Sequence, residues 1–140
     1  LSQYVVDASV AAKWFVNEEH SAAAGRLRKV DHELIGPDLL PVEVGSALLK
    51  KVRRGELSAA EGESGARLLT LLPIRLQAVL GLLPSAWAIA NRYRCSLYDS
   101  IYVGLAVEAD CELVTADRKL FDMLAGTPLA EHLVWIEALP

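Results

Sequence analysis

Four acidic residues, Asp7, Glu43, Asp99 and Asp117, lie in or at the end of apolar runs: VVDASV, LLPVEVGSALL, SLYDSIYVGLA and ELVTAD. A fold that buries those runs has to take the carboxylates with it. Burying a carboxylate is costly unless a cation or a donor compensates it. Any fold of this chain must therefore place the four acids where something offsets their charge. Four such acids together imply a divalent-cation site.

The rest of the composition narrows the class. The chain has 140 residues, the size of one domain, and residues 1–140 are expected to form one. With 53% hydrophobic and 23% charged residues, a well-formed core is possible and disorder is disfavoured. No apolar run reaches the ~18 residues that span a bilayer. The first strand candidate starts at Tyr4, so no signal peptide is expected ahead of it. Cys95 and Cys111 are too few for a disulfide scaffold or a zinc site, and His20, His32 and His132 show no ligand spacing. A reducing cytoplasm is the expected compartment.

The net charge of −4 argues at first against a nucleic-acid partner, but the cations cluster. Lys50, Lys51, Arg53 and Arg54 crowd one helix end and Arg92 and Arg94 another, where they complement the helix dipole. Arg118 and Lys119 instead open a helix, where cations are disfavoured. Together with Lys13 they are the candidate contacts for a phosphate backbone.

The periodicity predicts strands and helices in alternation. Strands are expected at Tyr4–Val6, Leu34–Ile35 (closed by Gly36-Pro37), Ile74–Gln77, Glu112–Thr115 and Val134–Ile136. Helices are expected over Ser9–Phe15, Ser21–Lys29, Asp38 (as N-cap) to Arg54, Ser58–Leu72, Pro84–Arg94, Ser96–Ala109 and Asp117–Leu124. Gly55 stops the third helix, and Ser58 with Glu61 forms a capping box for the fourth. This order predicts an α/β three-layer sandwich around a central, mostly parallel five-stranded sheet.

In such sheets ligands bind beyond the carboxyl ends of the strands. Asp7 follows the first strand and Asp117 lies two residues past Thr115. Glu43 shares the inward helix face of Leu39, Leu40 and Ala47, and Asp99 opens an apolar helix. Each acid also has a plain structural reading. Asp7 is also readable as a strand-end turn residue, Asp99 as a helix-start acid, Asp117 as an N-cap, and Glu43 as a buried partner of a nearby arginine. Those readings stay open one by one; the ordered set favours a shared site.

Carboxylates packed together repel and retain protons unless a hard cation intervenes. Mg²⁺ favours oxygen ligands and substrate phosphates, and two such ions would neutralise four carboxylates. The reaction class this favours is phosphodiester hydrolysis, in which a divalent ion acidifies the attacking water. No Ser-His-Asp triad is needed for it. Ser9 and Thr115, each two residues from an acid, are candidates to orient a carboxylate or bind a phosphate oxygen.

VVDASVAAKWF, PVEVGSALLKKVRRG, SLYDSIYVGLA and ELVTADRKL, in this order, resemble the PIN-domain family, and most closely its VapC-type toxins of toxin–antitoxin pairs. The resemblance runs from Tyr4 to Ile136. It implies a Mg²⁺- or Mn²⁺-dependent ribonuclease using one or two ions. Asp7, Glu43, Asp99 and Asp117 match the family's acidic quartet, with Asp7 and Asp99 as expected direct ligands. Ser9 and Thr115 match its hydroxyl positions. It also implies a homodimer, a VapB-type antitoxin partner and an RNA substrate.

The alternatives within the family are a nuclease of RNA processing or decay, and a non-catalytic RNA-binding module. Outside it, a phosphoacceptor domain would want paired acids at the first strand. An aspartate-nucleophile phosphatase would want Asp-x-Asp, where this chain has Asp7-Ala8-Ser9.

Overall fold

The β-branched run near the N-terminus forms β1 (Gln3–Val6), with Tyr4, Val5 and Val6 all buried, as a central strand of a parallel sheet requires. In the computed structural model, which describes residues 2–29 and 31–140, β1 pairs with β2 (Glu33–Pro37) on one side and β4 (Glu112–Thr115) on the other. Beyond them lie β3 (Arg75–Gln77) and β5 (Leu133–Trp135). Strand order is β3-β2-β1-β4-β5, and every pair is parallel. The expected five-stranded sheet is present.

Helices make all the crossovers. α1 (Ala8–Ala11) and α2 (Ser21–Lys29) lead to β2, and α3 (Leu40–Arg53) and α4 (Ala59–Leu68) lead to β3. α5 (Leu83–Tyr93) and α6 (Leu97–Glu108) lead to β4, and α7 (Arg118–Leu124) leads to β5. Right-handed crossovers running in opposite directions put the first four helices on one face and the last three on the other. Consistently, α3 packs on α1 and α4, while α5 packs on α6. α6 is apolar nearly all round and is buried without a break from Ser100 to Ala106, against β1, β2 and β4. Among the described residues no helix is long and apolar enough to cross a membrane.

Several local expectations need correction. The Ser9–Phe15 helix is one α turn followed by a 3₁₀ turn at Ala12–Trp14, and the helix expected to reach Leu72 gives way to 3₁₀ at Leu69–Leu71. Gly36 and Pro37 extend β2 instead of closing it, and β5 begins one residue early. Asp38 does not cap α3. That position belongs to Leu39, which has helical backbone angles and no side-chain cap, while Asp38 Oδ1 accepts from Val79 N (3.1 Å). Asp38 N donates to Gln77 O (2.8 Å), so the residue ties the end of β2 to the exit of β3.

Two expected punctuation marks are in place. The reciprocal Ser58–Glu61 bonds of the capping box both form. At the end of α3, Gly55 has φ +76°, its N–H reaches Val52 O (3.0 Å), and Glu56 N reaches Lys51 O (2.9 Å). This is a Schellman ending, in which only glycine avoids the left-handed penalty. Gly55→Ala is expected to destabilise the chain by about 1 kcal/mol, read as a lowered urea midpoint with an unchanged slope.

Candidate active site

The chain runs outward from β1 to β2 and β3, then returns to the other side of β1 at β4 and β5. The crevice between the carboxyl ends of β1 and β4 is therefore the switch point of the sheet, where ligands of such folds bind. Asp7 leaves β1 there and Asp117 follows β4. Asp7 N donates to Val114 O (3.1 Å), which holds the two strand ends together. α3 starts directly where β2 ends, and α6 runs back to the start of β4 and so begins at the carboxyl end. Glu43 in the first turn of α3 and Asp99 in the first turn of α6 therefore belong to the same end of the sheet.

Asp7 is only 6% exposed. Its Oδ2 accepts from Ser9 Oγ (2.8 Å) and from the fully buried Thr115 Oγ1 (2.7 Å), so both hydroxyls converge on one oxygen. The hydroxyls are bonded in turn: Ser9 Oγ accepts from Ala116 N (3.2 Å) and Thr115 Oγ1 from Asp117 N (3.0 Å). Burial pushes the Asp7 carboxyl up to about 6. The Thr115 and Ser9 donors pull against that shift, and the charges of Asp99 and Asp117 add to it.

Glu43 is half-buried, and its Oε1 accepts from Tyr102 OH (2.7 Å). Burial raises the Glu43 pKa, the Tyr102 bond opposes the rise, and Asp99 reinforces it. The Tyr102 phenol is held far above its ordinary range by burial and by Glu43. Asp99 is raised by burial and then by Asp117, against the lowering effects of Ser96 and Lys119. Asp117 is the N-cap of α7, its Oδ1 accepting from Leu120 N (3.2 Å). The structural reading of Asp117 as a cap is therefore real and coexists with its place in the crevice. The arginine partner considered for Glu43 is replaced by a tyrosine.

The acids feel one another without being neutralised. Among the described residues no Lys, Arg or His forms an ion pair with any of the four. Nor, among those residues, do three His, Cys, Asp or Glu side chains close into a ready-made metal cage. The donor set nonetheless fits a hard divalent cation. It is all oxygen, without an ion pair among the described residues, and at Asp7 it is oriented by two neutral hydroxyls that both bind Oδ2.

The cations are placed unequally. The Lys119 charge is felt at Asp99. Arg118 stacks over Trp135 (3.8 Å to the ring centroid) and pairs with Asp122 (3.6 Å). Since Trp135 is paired with Thr115, Arg118 lies on the β5 side of the crevice. Lys13 is engaged with Glu18 (3.2 Å), with only 10% of its side chain exposed, and Glu18 also holds Lys51 (3.0 Å). Sequence reasoning did not single out Tyr102, which donates to Glu43 yet has no place among the expected site residues. Its i+3 spacing from an acid on a buried helix was the available signal.

Residues 4–126 match the family model of the PIN domain. The chain belongs to the PIN-domain family. Within it the chain falls in the VapC branch. It is 36% identical over 121 residues to ribonuclease VapC9 of Mycobacterium tuberculosis, covering 84% of this chain and 88% of that one. It is 35% identical over 118 residues to ribonuclease VapC3 of Pyrobaculum aerophilum, covering 83% and 90%. A toxin–antitoxin complex from Klebsiella pneumoniae contains a chain of the same fold, with TM-score 0.66 and 16% identity over 94% of this chain and 95% of that one.

The raised Asp7 pKa makes a signed prediction for this PIN domain in the absence of metal. Because the folded value of about 6 lies above the ordinary 3.8, the folded state holds the extra proton. Its contribution to stability is complete below the ordinary value and is lost as pH rises through about 6. Asp7→Asn is therefore expected to stabilise the chain in EDTA at pH 7.5, by up to about 3 kcal/mol, and to do little at pH 3.5. Melting curves of both proteins across this range are the measurement. An equal effect of the substitution at both pH values would contradict the assignment.

Proposed function

We propose that this PIN domain is a VapC-type toxin endoribonuclease. In this reading residues 1–140 form one nuclease domain that hydrolyses RNA phosphodiester bonds, with Asp7, Glu43, Asp99 and Asp117 holding one or two Mg²⁺ or Mn²⁺ ions. Kinship to ribonucleases supports the RNA substrate. The observation that carries the metal is the buried Asp7 carboxylate, oriented by two hydroxyls and paired with no cation among the described residues. A bound divalent cation would supply Lewis acidity, lowering the pKa of the attacking water so that it loses a proton and reacts as hydroxide, and would offset charge on the phosphate.

The chain's own residues supply the rest. Asp7 and Asp99 are the direct ligands, at a strand end and a helix start that the core holds fixed. Ser9 and Thr115 hold Asp7 through Oδ2 and so fix the orientation of its carboxylate. Glu43 and Asp117 complete the negative wall, each with one oxygen already held by a donor. Lys119 beside Asp99, and Arg118 at the β5 edge, are the cations that meet the RNA backbone, while Lys13 is largely occupied by Glu18. A VapB-type antitoxin and a second copy of the chain are the protein partners. Exposed Val42, Leu80, Trp87 and Tyr98 supply apolar surface for such contacts.

Cleavage of a structured RNA by the purified chain is expected with Mg²⁺ or Mn²⁺ and not in EDTA. Asp7→Asn or Asp99→Asn should lower the rate by at least about a hundredfold, beyond what outer-sphere losses cost. Full-rate cleavage under chelation, or by either variant, would overturn the metal site. Arg118→Ala with Lys119→Ala should weaken RNA binding and flatten its salt dependence by about one to two ions. Unchanged binding at several salt concentrations would remove both residues from the RNA surface.

A further inference from the structure

The acids of the crevice differ in how their oxygens are engaged. Asp7 has Oδ2 held by hydroxyls from its own turn and from β4, and Asp117 has Oδ1 held by a backbone amide of the helix it caps. Glu43 is different: its Oε1 is held by a side chain from the opposite helical layer, the Tyr102 phenol at 2.7 Å. Tyr102 is 1% exposed and packed within α6, so its hydroxyl has a fixed position. Glu43 by contrast is half-buried, has three rotatable side-chain bonds, and lies near the like charge of Asp99. Left without a donor, it would turn toward solvent. Tyr102 follows Asp99 by three residues, so one face of α6 carries an acid of the site and also the clamp on the acid opposite.

We propose that Tyr102 is a positioning residue of the nuclease site: its phenol holds Glu43 Oε1 so that Oε2 faces the crevice. The inference rests on the nuclease reading above and assigns Tyr102 no contact with RNA. The 140-residue chain is compared as wild type, Tyr102→Phe, Glu43→Ala and the double variant. Mn²⁺ binding is measured by titration calorimetry, kcat and KM on one RNA, and melting in EDTA.

Tyr102→Phe is expected to lower Mn²⁺ affinity or kcat on the order of tenfold, the size of an outer-sphere loss, with KM for RNA unchanged. In the Glu43→Ala background the same substitution should cost nothing further. Unchanged Mn²⁺ affinity and kcat in Tyr102→Phe would overturn the role, as would an equal loss with and without Glu43, which marks a general packing effect. An inactive wild-type chain would overturn the nuclease reading alone, since the Mn²⁺ titrations would still decide what Tyr102 does for Glu43.

Discussion

The structure turns on one buried carboxylate. Asp7 ends the central strand, and the two hydroxyls that hold it come from its own turn and from the neighbouring strand β4. Those hydroxyls accept from Ala116 N and Asp117 N, so the loops leaving β1 and β4 are bonded to each other through Asp7. Such a network is worth having only if every member is satisfied, because a half-satisfied buried polar group costs more than an apolar one. The same bonds that make burial of Asp7 tolerable also fix the width of the crevice. Stability and site geometry are one arrangement here.

The parallel sheet explains why the other acids arrive at the same place. With every strand pointing one way, a helix that directly follows a strand begins at the carboxyl end, as does α6, which runs back to the start of β4. Asp7 precedes α1, Glu43 and Asp99 lie in the first turns of α3 and α6, and Asp117 caps α7. Helix N-termini carry partial positive charge and free N–H groups, so acids are favoured there. The convergence therefore follows from topology, with no special loop needed to deliver any of the four. It also explains why the cap and ligand readings of Asp117 are compatible: capping uses Oδ1 and leaves the other oxygen available.

What could be read before folding, and what could not, divides along the range of the interaction. Strand and helix order, the Gly55 stop and the Ser58–Glu61 box depend on neighbours in sequence, and all are found. Asp38 looked like a cap because caps are local. Its real partner is Val79, 41 residues on, which no local pattern can reveal. Glu43 shows the same limit in the site. Its inward face was evident from spacing, but its donor lies 59 residues away on another layer, where an arginine was equally plausible on composition. The 3₁₀ endings after α1 and α4 were unreadable for a different reason: they share the apolar spacing of the helices they extend.

The chemical identity of the donors carries a final consequence. Ser9, Thr115 and Tyr102 orient carboxylates without neutralising them. A lysine or arginine in any of those positions would have satisfied the acid and closed the account of charge within the protein, leaving a structural ion pair. Hydroxyls fix direction and leave the negative charge in place. Burial first, and then the neighbouring acids, push the Asp7, Glu43 and Asp99 carboxyls toward protonation, against the pull of those hydroxyls on Asp7 and Glu43. Among the described residues no Lys, Arg or His closes an ion pair with any of these acids. An arrangement built only for stability gains from neutralising its acids, whereas oriented, unneutralised carboxylates are what the proposed divalent-cation site requires.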